Sequence, residues 1–164
     1  MAVLNILLKG KEYVFMKKID KIKEWIRFAE MDRDTVNILN KQIKKPYEII
    51  CYHCQQSVEK YLKACLIFYG YSVYKSHDLL ELNELCAKSN SNFINIRKEC
   101  SQLSDYAVET RYPFHTFDIT EIEVKNAIKY MNICDDFITD VLYNSISKDI
   151  ETQNSDEESE EDEI

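Results

Sequence analysis

Turn residues are nearly missing from this chain, which has 2 Gly and 2 Pro in 164 residues. β-Sandwiches and barrels need turn chemistry roughly every 8–12 residues, and two glycines with two prolines cannot supply it. The same shortage excludes a glycine-rich phosphate loop, a dinucleotide fingerprint and a kinase-type lid. Long apolar runs are lacking too. The opening Met1-Ala2-Val3-Leu4-Asn5-Ile6-Leu7-Leu8 has no basic leader or small-residue cleavage site, and Lys9 cuts it too short to span a bilayer. The expectation is a cytoplasmic protein with no membrane association. What remains is a 45% hydrophobic chain of one-domain length, and it must be built from long helices joined by few loops.

Six cysteines, Cys51, Cys54, Cys65, Cys86, Cys100 and Cys134, fall mostly where helical spacing wants a buried apolar residue. That pattern reads as reduced core thiols, not a disulfide framework. Cys51 and Cys54 lie one turn apart while His53 points the other way, so these three do not converge on a metal ion. We expect no metal and no cofactor. The formal net charge of -8 comes from the end of the chain, because residues 151–164 hold eight acidic side chains and no basic one. Residues 1–63 carry thirteen Lys or Arg against eight Asp or Glu, a mild basic bias that permits a polyanion-binding face without announcing one.

The spacing of Ile19, Ile22, Ile26, Ala29, Val36 and Leu39 predicts an amphipathic helix from Lys17 to Asn40, interrupted on its apolar side by Asp32 and Arg33. That pair reads as solvated or internally paired charges. Lys44-Lys45-Pro46 ends this element, and a second helix runs from Tyr47 to Tyr69 on Ile50, Cys54, Val58, Tyr61, Cys65 and Phe68, with Gly70 as its terminator. Ser76 or Asp78 can cap a short helix through Leu79, Leu82, Leu85 and Cys86. A fourth helix takes Phe93, Ile96, Cys100, Leu103 and Ala107. Asp118 or Thr120 can cap the last one, lined by Val124, Ala127, Met131, Cys134, Ile138 and Val141. Residues 148–164 read as a disordered acidic tail and residues 1–16 as an N-terminal extension, leaving residues 17–147 as the bundle.

His53, Gln56, Lys60 and Lys63 recur at three- and four-residue spacing, so they form a polar strip along the second helix. It is either a solvated face or a groove for phosphates or a second copy of the bundle. His77 is either a loop anchor or a proton carrier. The 11 tyrosines, with Tyr69, Tyr71 and Tyr74 grouped near Tyr52 and Tyr61, suit a dimer interface or base stacking.

The stretch Cys51-Tyr52-His53-Cys54-Gln55-Gln56-Ser57-Val58-Glu59-Lys60-Tyr61-Leu62-Lys63, followed by Ser76-His77-Asp78-Leu79 and by Arg111-Tyr112-Pro113, resembles the HEPN domain, the higher eukaryote and prokaryote nucleotide-binding family. Ala29-Glu30-Met31-Asp32 adds to the likeness, which covers Ile19 to Tyr143. It implies an all-α, antiparallel up-and-down bundle of about five helices that forms a homodimer, binds a nucleotide or RNA-like polyanion and is often paired with a minimal nucleotidyltransferase in a toxin–antitoxin-like system. On that likeness His53, Gln56, Lys60, Lys63, His77 and Tyr112 are the ligand-binding candidates. Nuclease members carry an Arg, four to six intervening residues and a His. Here Arg111 and His115 are separated by three, which turns them differently about the loop. The alternatives are a metal-independent endoribonuclease using Arg111 and His115, or a non-catalytic interaction scaffold.

Overall fold

The computed structural model describes residues 2–72, 75–104, 106 and 119–161. Its elements are α1 (Ala2–Leu39), α2 (Tyr47–Phe68), α3 (Leu79–Ser89), a 3-10 turn (Ser91–Ile96), α4 (Arg97–Ser104) and α5 (Glu121–Glu161). Five helices and no strand among the described residues make an all-α bundle, as the dearth of turn residues requires. Side-chain pairings give its directions. Lys18 meets Phe68, Trp25 meets Lys63 and Asp32 meets His53, so α1 and α2 are antiparallel. Leu79 bonds Ser104 and Glu84 bonds Arg97, so α3 and α4 form a second antiparallel pair. Phe93 stacks edge-on against Phe137 with ring centroids 5.3 Å apart, carrying the 3-10 turn onto α5.

Several of these elements start or stop for a local reason. Tyr71 N–H donates to Leu66 O and Gly70 N–H to Ile67 O, the paired bonds of a Schellman end, with Gly70 at φ +88° where a side chain would be strained. Asp78 caps α3 by accepting from Leu80 N at 2.8 Å. Asn90 accepts from Asn92 N and opens the 3-10 turn, so the fourth element begins in tighter coil than the expected plain helix. At α5, Thr120 is the cap. Its hydroxyl accepts from Glu123 N while Glu123 reaches back to Thr120 N at 2.6 Å, a capping box that holds the Glu123 carboxyl below its ordinary range.

α1 is continuous from Ala2, so residues 2–16 prolong the same helix that carries the core stripe. α5 likewise continues through Glu161, into the acidic stretch that composition marks as a tail; its backbone there is helical. The core is one cluster drawn from every helix, from Ile22 and Val36 through Leu62, Leu79 and Phe93 to Met131 and Ile138. All six cysteines are free and buried within it. Burial pushes the Cys51 thiol up to about 12, and Cys54, Cys65, Cys86 and Cys134 are raised as well, which keeps them protonated and inert. None of the described helices is long and apolar enough to cross a membrane.

Candidate functional site

α2 carries its polar residues inward as well as outward. Lys63, at the end of the strip, is only 6% exposed, and Gln55 and Glu59 beside it are 0% and 3% exposed, so this part of α2 is no solvated face. Burial on that scale requires partners. Lys63 Nζ lies 2.8 Å from Glu59 Oε1 one turn back and 5.5 Å from the centre of the Trp25 ring. Gln55 Nε2 and Gln56 Nε2 each donate to Glu59 Oε2 at 3.2 Å. His77 Nδ1 sits 3.0 Å from Glu59 Oε1, and Gln55 Nε2 also donates to the His77 carbonyl at 3.0 Å. Burial alone would raise the Glu59 carboxyl, but the hydrogen bond and charge of Lys63, with Gln55 and His77, outweigh it and hold the group below its ordinary value.

A second cluster lies one turn toward the start of α2. Asp32, the residue that interrupts the apolar stripe of α1, is 7% exposed and faces α2, where Lys60 Nζ donates to Oδ2 and His53 Nδ1 lies 2.8 Å from Oδ1. Its neighbour Arg33 turns instead to Asp136 on α5 at 3.2 Å. Lys60 also stands 6.0 Å from the Phe28 ring. The interrupting pair is thus internally paired, each member to a different helix.

The consequence for chemistry is an oriented set of side chains. His53 and His77 each present Nδ1 to a buried carboxylate, which fixes the ring plane and leaves Nε2 on the side away from that carboxylate. His77 is the more accessible, its side chain 59% exposed, and His53, Gln56 and Lys60 are half-buried along the same edge. Such an edge can donate hydrogen bonds and positive charge to an anion. Lys63 is different: it sits beneath the edge, and its charge serves Glu59. Among the described residues no group of three His, Cys, Asp or Glu is placed to hold a metal ion.

Of the sequence-derived candidates, Gln56, Lys63 and His77 are therefore gathered around Glu59, and His53 and Lys60 around Asp32 one turn away, while Arg111, Tyr112 and His115 lie outside the described residues. His77 does anchor its connector, through both its ring and its carbonyl. Tyr61 is a core residue, 3% exposed, and does not belong to a surface tyrosine group. Reasoning from periodicity missed Asp32, Gln55 and Glu59 as network members. The usable signal was a carboxylate at a core position: Asp32 falls between Ala29 and Val36 on the buried side of α1.

Five helices among the described residues, around a single core and with a polar seam between the first two, define a small all-α module of the bundle class. Residues 22–138 match the HEPN domain family, and the chain belongs to it. The fold is similar to the crystal structure of TT1696 from Thermus thermophilus, with a TM-score of 0.64 and 20% identity over 73% of this chain and 97% of that one. At that identity the likeness speaks for the fold alone. No curated protein matches the chain.

Proposed function

We propose that this HEPN module binds a nucleotide or RNA-like polyanion along the outer edge of α2, acts as a homodimer and pairs with a minimal nucleotidyltransferase in a toxin–antitoxin-like system. The observation that carries the binding reading is the pair of carboxylate-held histidines, His53 on α2 and His77 on the connector that meets Glu59, together with Gln56 and Lys60 on α2. Side chains fixed by buried partners lose little freedom when a ligand arrives, which is what a binding edge requires. Lys60 supplies charge, His53, His77 and Gln56 supply hydrogen bonds, and Lys63 positions Glu59 behind them. Membership of the family supports the dimer and the nucleotidyltransferase partner.

The test is calorimetric titration of the full chain with ATP and, separately, with a short single-stranded RNA. Lys60→Ala should weaken binding at least tenfold, the equivalent of one charge-assisted hydrogen bond of roughly 1.5–3 kcal/mol. His77→Ala should weaken it by a smaller factor. Equal affinity for wild type and Lys60→Ala would remove this edge from the reading.

A further inference from the structure

Beneath the binding edge, and independent of whatever ligand that edge takes, three helices meet at a carboxyl group that the network above does not use. Asp135, in the first half of α5, is 0% exposed. Its Oδ2 lies 2.8 Å from Ser57 Oγ on α2, and its Oδ1 has no hydrogen-bond partner among the described residues. Ser57 is also fully buried, and the same Oγ lies 3.2 Å from the carbonyl oxygen of Ala29 on α1.

A hydroxyl carries one proton. Were Asp135 ionised, two acceptors, its own Oδ2 and the Ala29 carbonyl, would compete for the single Ser57 proton, and a buried negative charge would keep at most that one hydrogen bond. Were Asp135 protonated, every contact would have a donor: Asp135 donates to Ser57 Oγ, and Ser57 donates to Ala29 O. The surroundings favour the neutral form. From α1, Arg33 is engaged by Asp136 and Asp32 is itself an anion; from α2, Cys54 and Tyr61 are neutral groups whose ionisation burial pushes up; on α5 the neighbours are Cys134 and the anion Asp136. No cation among the described residues is paired with Asp135.

We propose that Asp135 is a protonated pin joining α1, α2 and α5, and that loss of its proton to water withdraws the Ser57 hydroxyl from Ala29 and loosens the joint. In support, burial drives this carboxyl up to about 7, against the opposing pull of the Ser57 hydrogen bond and the more distant Arg33, and with Asp136 and Asp32 adding to the rise. The pin lies directly under the edge described above. Ala29 is one turn from Asp32, and Ser57 is one turn from both His53 and Lys60.

The test is carbon-13 NMR of the aspartate side chains in the full chain, with thermal unfolding of wild type and Asp135→Asn between pH 6 and 8.5. The asparagine amide can donate to Ser57 Oγ as the neutral acid does. The Asp135 carboxyl carbon should titrate with a midpoint near 7, and the wild-type melting temperature should fall by roughly 5 °C across that range while Asp135→Asn stays flat. A carboxyl midpoint near the ordinary aspartate value of about 4 would overturn the proposal even if Asp135→Asn fails to fold. Parallel melting profiles for the two proteins would overturn it as well.

Discussion

Replacing Lys63 by Met removes one charge from a pair that water scarcely reaches, since the Lys63 and Glu59 side chains are 7% and 4% exposed. At 2.8 Å the attraction of the pair is roughly 6 kcal/mol in a medium of effective dielectric about 20. Removing both charges from water costs several kcal/mol per ion, so the intact pair is close to neutral in net stability. The single replacement is not neutral. It leaves Glu59 buried with two amides and His77 as its remaining partners, and we expect a loss of about 3 kcal/mol, the lower end of the range for stranding a buried charge. Methionine keeps an apolar chain of similar length, so little of that loss is packing, and the ammonium contact with the Trp25 ring goes with the charge. Urea unfolding followed by circular dichroism should show the midpoint moving down by roughly 1–2 M. The double variant Glu59→Gln/Lys63→Met should recover to within about 1 kcal/mol of wild type, because neither charge remains to be stranded. The pH dependence has a definite sign. The Glu59 carboxyl lies below its ordinary value in the folded protein, so its contribution is present above the unfolded value and lost as pH falls through the folded one. The deficit of Lys63→Met should therefore narrow in acid. A loss under about 1 kcal/mol at neutral pH, or a double variant whose loss equals the sum of the two singles, would refute the reasoning.

Two smaller perturbations probe the helix ends. Gly70→Ala places a Cβ where nothing among the described residues lies within 4 Å, so its cost is conformational; about 1 kcal/mol is expected from the positive φ, measured by the same unfolding assay. Thr120→Ala dismantles one half of the capping box at the start of α5 and should cost about 1 kcal/mol, with a lowered thermal midpoint and no change in the pattern of core amide protection.

The helices were legible in the sequence because a single apolar stripe marks each, and because Gly70, Asp78 and Thr120 terminate or cap them through local bonds that need no knowledge of the fold. The two long ends were less so. In sequence, residues 1–16 read as an extension and residues 148–164 as a tail, yet the backbone stays helical through Ala2–Met16 and on to Glu161, since helix continuation depends on propensity as well as on a buried face. His53, Gln56, Lys60 and Lys63 could be read from spacing on α2. Their partners could not: Asp32 sits 21 residues from His53, and Asp135 sits 78 from Ser57, so nothing local to either carboxylate reveals which donor it meets. Both stand in core register, Asp135 between Met131 and Ile138, and a charge in such a place is itself the available signal.

The polar seam between α1 and α2 also works as a vernier. The apolar stripes of two long helices tolerate a slide of one turn, about 5.4 Å, because similar side chains would again meet similar side chains. Asp32 has no such latitude. Displaced by a turn it would forfeit both His53 and Lys60, and Ser57 would part from the Ala29 carbonyl, so several buried groups would lose their partners together. Shifted alignments of the hairpin are thereby penalised far more than hydrophobic contact alone could achieve, and the edge of α2 is presented at one height along α1.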